Sequence, residues 1–556
     1  MKQRHLMKRI NYVLSILLVT SALTACSNAP KYEVPTAPGP DKFKEASIYE
    51  TYWQPASNKA GQVDQGKWWL IFNDPDLDAL QEQATQYNPN LQAAAARVQQ
   101  ADAIVNEARS ALFPAIDLSA GVTRGNIATG DLTTAYSILG AISYEIDFFG
   151  RVRDAVKVVK ANKKQADELY RQALLFLHAD VAQNYFMLQA LDTERNLLRQ
   201  TIRSREEYQQ LVLRRFKEGE AAEQESLRAQ AELASVRADL LAIDQNRAVV
   251  EHALSVLVGK APSEFTQSEK ELPHSLPLVP AGLPSSVLER RPDIAVAQAQ
   301  LAANNAKIGI ARAAFFPVIG LTAQGGTVSD DLGGIFKWSN RAWAVGPLLS
   351  LPIFDGGRRK AELAFANAEF QESVATYRQD VLVAFKEVED NLSSLRLEAE
   401  RAKQLYEAAE KAKKAENISQ IRYREGESSF LEVLDTQRDT LAAQRAYTQT
   451  QGQRFATTIN LIRALGGGWN VIEATPVTQP VQQPTPETVK KEVPVEVPPV
   501  PVERARVPET PPAMPMAKPE PVPLAQPKLH PQPLAPAVPQ PTAPTSTPAL
   551  SHVLFD

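Results

Sequence analysis

Leu174, Leu177, Val181, Tyr185 and Leu188 recur at three- and four-residue intervals, the period of one helix face. They lie in a stretch, 151–218, that contains neither glycine nor proline. One uninterrupted helix over it would be ~100 Å long at about 1.5 Å per residue. Residues 358–425 are equally free of both breakers, as are 220–258 and 427–451. Helices of this length without caps point to a coiled coil or a membrane span. The charges spread along them decide for the coiled coil. Alanine-rich faces such as "QAAAARVQQADAIVNEARSA" allow close helix approach. A different period lies between the helices. In "AIDLSAGVT", Ile116, Leu118, Ala120 and Val122 alternate with Asp117, Ser119, Gly121 and Thr123, as in a strand. "SILGAISYEIDF" and "VIGLTAQGG" behave alike. "RAWAVGPLLSLPIF" is rougher, and Pro347 inside it predicts an edge, a bend or a bulge.

The pattern occurs twice. Residues 88–120 align without gaps on residues 291–323, and Ala108, Arg109, Ala111, Phe113, Pro114, Ile116, Leu118 and Ala120 recur 203 positions later. Beyond the strands the spacing is 207: Gly150-Arg151 returns as Gly357-Arg358, Glu218-Gly219-Glu220 as Glu425-Gly426-Glu427, and Gly259 as Gly466. A period this long is no solenoid repeat and reads as a duplicated unit. Each unit is helix, strand, loop, strand, long helix, turn, helix. The expected layout is a leader (1–25), an N-terminal segment (26–87), a first repeat (88–259), a connector (260–290), a second repeat (291–470) and a tail (471–556). From 476 to 556 the chain holds 23 of its 40 prolines, which excludes helix and ladder and predicts a disordered or polyproline tail. It would act as a spacer or as a ligand for the peptidoglycan layer or a partner domain.

The start of the chain fixes the compartment. Lys2, Arg4, Lys8 and Arg9 precede an apolar run too short for a comfortable membrane span, as in a signal peptide. "LTAC" then resembles the bacterial lipobox, which implies an acylated Cys26 as the first mature residue; a chance cysteine is the alternative. Cys26 is the only cysteine, so no disulfide supports the fold. Losing a leader with four basic and no acidic residues takes the formal charge from -4 to -8, against a nucleic-acid partner. The six histidines are scattered without metal-ligand spacing, and no nucleophile or phosphate-loop motif occurs, so neither catalysis nor a metal is expected.

An exported chain without a spanning helix can cross a bilayer only as a closed barrel. About four strands per chain cannot close one, since membrane barrels begin at about eight. Either the strands stay in the periplasm, in a coiled-coil lipoprotein scaffold, or several chains pool them. Three chains would give about twelve. Trp338 and Trp343 fit an aromatic belt or a packed core equally well.

"VPAGLPSSVLERRPDI" (279–294), "ARAAFFP" (311–317), "LPIFDGGRR" (351–359), "VLDTQR" (433–438) and "LIRALGGGW" (461–469) carry a resemblance over roughly residues 30 to 470. The body resembles the TolC-like outer membrane factors of tripartite efflux systems, most of all the lipoprotein branch that partners resistance–nodulation–division pumps. The resemblance implies an α+β fold: a homotrimer with a transmembrane β-barrel in the outer membrane and a long α-helical coiled-coil barrel in the periplasm. The implied function is a passive exit duct for drugs and other toxic compounds, fed by an inner-membrane pump through a periplasmic adaptor. It has no cofactor beyond the lipid on Cys26. A duct for type I protein secretion is the runner-up; scarce methionine disfavours a copper or silver duct. Gly219 and Gly426 would turn the long helices back as hairpin tips, since glycine takes the left-handed cap conformation at little cost. By the family pattern the periplasmic gate falls on Tyr423, Leu431, Glu432 and Asp435. In a trimer the two acids would form a ring of six carboxylates that attracts cations. An arginine found beyond the turn in some members is replaced by Ser428, and Arg438 is the expected substitute.

Overall fold

Each long breaker-free stretch is a single helix. The structure, a computed structural model, describes residues 28–36, 39, 43–45, 67–126, 132–277, 279 and 290–467. Cys26, the leader, part of the connector and the tail lie outside the described residues. A short helix α1 (Pro75–Tyr87) precedes the first unit, which runs α2 (Pro89–Ser110), β1 (Ala115–Asn126), β2 (Leu132–Ile146), α3 (Arg151–Lys217), α4 (Glu223–Leu257). The second unit runs α5 (Pro292–Ala313), β3 (Val318–Ser329), β4 (Arg341–Ser350), α6 (Arg358–Arg424), α7 (Phe430–Ala464). The element order is the same in both, and α3 and α6 are each 67 residues long.

Both long helices start and stop by the same devices. At the strand-to-helix turns the backbone takes positive φ at Gly150 and Gly357. The Asp147 carboxylate accepts from the Arg153 amide at 2.9 Å, and Asp355 accepts from the Gly357 amide at 3.1 Å. These oxygens serve helix-start donors that have no partner inside the helix. At the far ends Gly219 and Gly426 sit at φ 82° and 81°. The amide of Glu220 reaches the Arg215 carbonyl at 2.8 Å, and that of Glu427 reaches the Arg422 carbonyl at 2.8 Å. With the Gly219–Phe216 and Gly426–Tyr423 bonds, these are Schellman caps.

The helices pair as antiparallel hairpins, α3 with α4 and α6 with α7, and α3 also contacts α7. The largest core lies at the middle of the described fold. There Tyr185, Phe186, Phe455, Leu301 and Val381 pack with Trp68, Trp69 and the connector residues Phe265 and Leu272. Asp74 ties the connector down: Lys270 donates to it at 2.8 Å and Tyr185 at 2.9 Å. Burial works against the Asp74 charge, but these two bonds outweigh it and hold the carboxyl below its usual range. Smaller cores follow along the hairpins towards the tips.

The four described strands form one antiparallel sheet in the order β1-β2-β3-β4. β4 is an edge strand of this sheet, one of the positions that admit Pro347. Register gives the two faces different surfaces. Ile116 pairs with Ile142, Ile142 with Ala323 and Ala323 with Val345; two residues along, Leu118, Gly140, Gly325 and Trp343 align. The opposite face carries Ser119, Ser137, Ser143, Thr322 and Gln324, together with Leu139, Val328 and Leu348. Trp338 and Trp343 are 76% and 80% exposed, so neither is a core residue of the chain. The Arg341 guanidinium covers the Trp338 ring, 3.3 Å from its centroid. No helix of the described residues is long and apolar enough to cross a membrane.

Candidate functional site at the hairpin tips

The two Schellman turns place the tips of both hairpins side by side. Below them Tyr208, Val212, Ala229, Tyr423, Phe430, Val433 and Leu434 form a small apolar core drawn from all four long helices. Tyr423 is buried in it, with its hydroxyl 3.3 Å from Glu225 of the other hairpin. Burial and the Glu225 carboxylate both push the Tyr423 phenol up, so it stays a neutral donor. Arg215 closes the junction: it stacks over the Tyr423 ring and donates to the carbonyls of Tyr423 at 3.0 Å and Arg424 at 2.9 Å. Those carbonyls end α6, where a cation is favoured by the helix dipole.

Ser429 caps α7 by accepting from the Glu432 amide, which fixes Leu431, Glu432 and Asp435 on its first turns. Leu431 is exposed. Glu432 pairs across the turn with Arg422 at 3.3 Å. Asp435 is largely exposed, and among the described residues its one ion pair is with Arg438, at 3.8 Å. The acids predicted for the gate are thus unequal: one is held by an arginine, the other stands nearly free.

Arg438, the expected substitute for the absent arginine, reaches across to the first hairpin. Its guanidinium is committed to Glu232 on α4, to which Nε donates at 2.8 Å and a second nitrogen binds closely. Arg205 of α3 binds the same carboxylate at 2.7 Å. Burial works against the Glu232 charge, yet the bond from Arg438 and the neighbouring Arg205 hold its carboxyl below the usual range. Arg438 therefore joins α7 to the first hairpin, with Asp435 as its more distant second partner. Ser428, in place of the absent arginine, reaches the Ser419 carbonyl at 3.4 Å within its own hairpin. Residue patterns did not single out Arg205, Arg215, Glu225 or Glu232. The available signal was the seven-residue series Leu191, Leu198, Arg205, Val212, in which the arginine occupies a core position.

Among the described residues no cluster of three or more His, Cys, Asp or Glu side chains could hold a metal. The tips are instead a set of inter-helix contacts around exposed acids.

The sequence profile described as "Outer membrane efflux protein" matches residues 80–260 and 283–467. The Pseudomonas aeruginosa "Outer membrane protein OprJ" is 32% identical over 474 residues, 84% of this chain and 97% of that protein. The Pseudomonas putida "Toluene efflux pump outer membrane protein TtgC" is 32% identical over 466 residues, 82% and 96% of the two. The crystal structure of the Campylobacter jejuni CmeC outer membrane channel superposes with a TM-score of 0.75 at 26% identity, covering 81% of this chain and 96% of that one. The chain belongs to the outer membrane efflux protein family, the TolC-like factors, and is an outer-membrane channel of a tripartite efflux system rather than an enzyme.

Proposed function

We propose that this chain forms a lipid-anchored homotrimer, a passive exit duct for drugs and other small toxic compounds, gated at its periplasmic tips. The observation that carries the trimer is the sheet: four strands with two open edges, and one face, with Ile116, Leu118, Ile142, Leu321, Val345 and Trp343, more apolar than the other. Joining β4 of one protomer to β1 of the next satisfies both edges. Three copies then give twelve strands with the apolar face towards lipid. The lipobox-like "LTAC" supports a lipid on Cys26, placing the protein in the lipoprotein branch. Two separate matches to one family profile support the duplication. A relative named for toluene efflux and another named for antibiotic efflux support small apolar cargo. The energy source is an inner-membrane pump acting through a periplasmic adaptor at the tips.

Three copies would bring Leu431, Glu432 and Asp435 around one axis. Arg422 offsets Glu432, so Asp435 dominates the acidic ring. Asp435→Ala is expected to raise single-channel conductance in planar bilayers and to weaken cation preference, with Glu432→Ala changing both less. Conductance and selectivity unchanged in Asp435→Ala and in the double variant would remove these acids from the gate.

A further inference from the structure

The first described residues run antiparallel to α5, from the foot of the sheet towards the central core. Arg312 donates to the Asn28 carbonyl at 3.3 Å, Asn305 to the Pro30 carbonyl at 2.8 Å, and the Tyr32 hydroxyl to the Gln298 carbonyl at 3.0 Å. The three α5 partners are one heptad apart. Ala29 sits where α5 has no side chain: a Cβ on Gly309 would collide with Ala29 and with the Asp154 carboxylate of α3. The Asn28 side-chain amide donates to the Phe149 carbonyl at 2.9 Å. The start of the segment is therefore fixed at the turn between β2 and α3.

That turn meets the one between α5 and β3 in a cluster of phenylalanines. The Phe149 and Phe316 rings stack with centroids 4.6 Å apart, and Phe148 and Phe315 are their chain neighbours. Phe148, Phe315 and Phe316 are 38%, 43% and 40% exposed, so the cluster has an apolar side that no described residue covers. Apolar surface of this kind calls for an occupant. The duplication supplies an internal control. At the equivalent positions Leu112 and Phe113 replace Phe315 and Phe316, Asp355 and Gly356 replace Phe148 and Phe149, and Asn106 replaces Gly309. That second corner keeps Phe113 and Phe354, but has no counterpart of the Phe149 ring or of the glycine notch. Cluster and notch occur together only at the corner where Asn28 is held.

We propose that the exposed side of this cluster seats the fatty acyl chains of the chain's own Cys26, with the Gly309 notch holding the anchor in place. The inference rests on the lipid-anchored reading above. Cys26 lies outside the described residues, but only two peptide units separate it from Asn28, a span of at most about 7 Å. The lipid therefore starts within reach of Phe148 and Phe149. One acyl chain alone binds a bilayer only marginally. A seat on the protein wall adds contact and ties the anchor to one position at the foot of the sheet.

The test is photo-crosslinking in cells that carry the full chain. p-Benzoylphenylalanine placed at Phe148 inserts into a nearby aliphatic C–H bond on illumination. Lys31 closes the first tryptic peptide of the mature chain, Cys26–Lys31. Mass spectrometry is expected to find that peptide, acylated, joined through its lipid to the peptide carrying position 148. The same probe at Phe113 should capture free phospholipid instead. Gly309→Val fills the notch and should lower the position-148 product about tenfold, the scale of one overpacked contact. If Gly309→Val loses the helical circular dichroism of the wild type, the comparison of positions 148 and 113 decides alone. The uncrosslinked Cys26–Lys31 peptide reads acylation separately. Unacylated, it overturns the lipid anchor and the seat with it. Acylated, with position 148 joined only to free phospholipid or positions 148 and 113 capturing the peptide equally, it overturns the seat and leaves the anchor standing.

Discussion

His178 shows how one side chain couples the core to pH. It is buried on α3 against the Trp69 ring, 4.3 Å between centroids, and shares a 2.9 Å hydrogen bond with Thr85. Burial pushes its imidazole down to about 3. The folded state therefore refuses a proton that the unfolded chain accepts near pH 6.5. The contribution is fully present above that pH and declines as pH falls towards 3, by about 1.4 kcal/mol per pH unit. Thermal unfolding of the purified protein between pH 7 and 5 should show a falling midpoint, and His178→Gln should flatten the fall. An equally steep fall in the variant would mean that other groups carry it. In the sequence His178 was visible only as one of six histidines without metal spacing. Its partners Trp69 and Thr85 lie about 100 positions away, and no local pattern joins residues so far apart. The acids proposed for the gate, Glu432 and Asp435, follow from the family pattern, whereas the Arg422–Glu432 pair that sets them apart depends on the turn geometry.

Helices were the most legible elements. The absence of glycine and proline set their length, and the repeated Glu-Gly-Glu set where they turn. Heptad spacing also placed Arg205 at a core position, though it could not name Glu232, on the next helix, as its partner. The turn glycines do not all do the same work. At Gly426 a Cβ would meet nothing, so alanine there costs only the left-handed backbone, about 1 kcal/mol. At Gly259 a Cβ would collide with the Tyr87 backbone, where α4 ends beside α1. Gly259→Ala must displace that backbone and should cost several kcal/mol, on the scale of overpacked cores. Thermal unfolding should therefore rank Gly259→Ala well below Gly426→Ala. Local hydrogen exchange should rise only around 420–430 in the latter. Equal effects would mean that backbone strain alone governs both turns.

Across the whole molecule, the decisive fact in the sequence was a number: about four strands, too few to close. Alternation identified the faces of β1, but pairing was needed to show that Ile116, Leu118, Ile142, Leu321, Val345 and Trp343 from all four strands share one side. Pro347 left an edge, a bend or a bulge open for β4, and the sheet ends there. Such a sheet in a monomer would expose Ile116, Leu118, Trp343 and Leu349 to water. In a closed barrel they face lipid, and Ser119, Ser143 and Gln324 line the lumen. Adjacent residues on one strand then respond oppositely to the same charge. Leu118→Arg places a guanidinium in the apolar band and should cost about 2–4 kcal/mol near mid-depth. Ser119→Arg points it into water and should be tolerated. Membrane fractionation and a heat-resistant oligomer on gels should show assembly lost in the first and kept in the second. The second should also shift ion selectivity towards anions, because its charge stands in the conducting path. If Ser119→Arg blocks assembly and Leu118→Arg does not, the two faces are assigned the wrong way round. If both assemble equally, the strands do not form a lipid-facing wall at all.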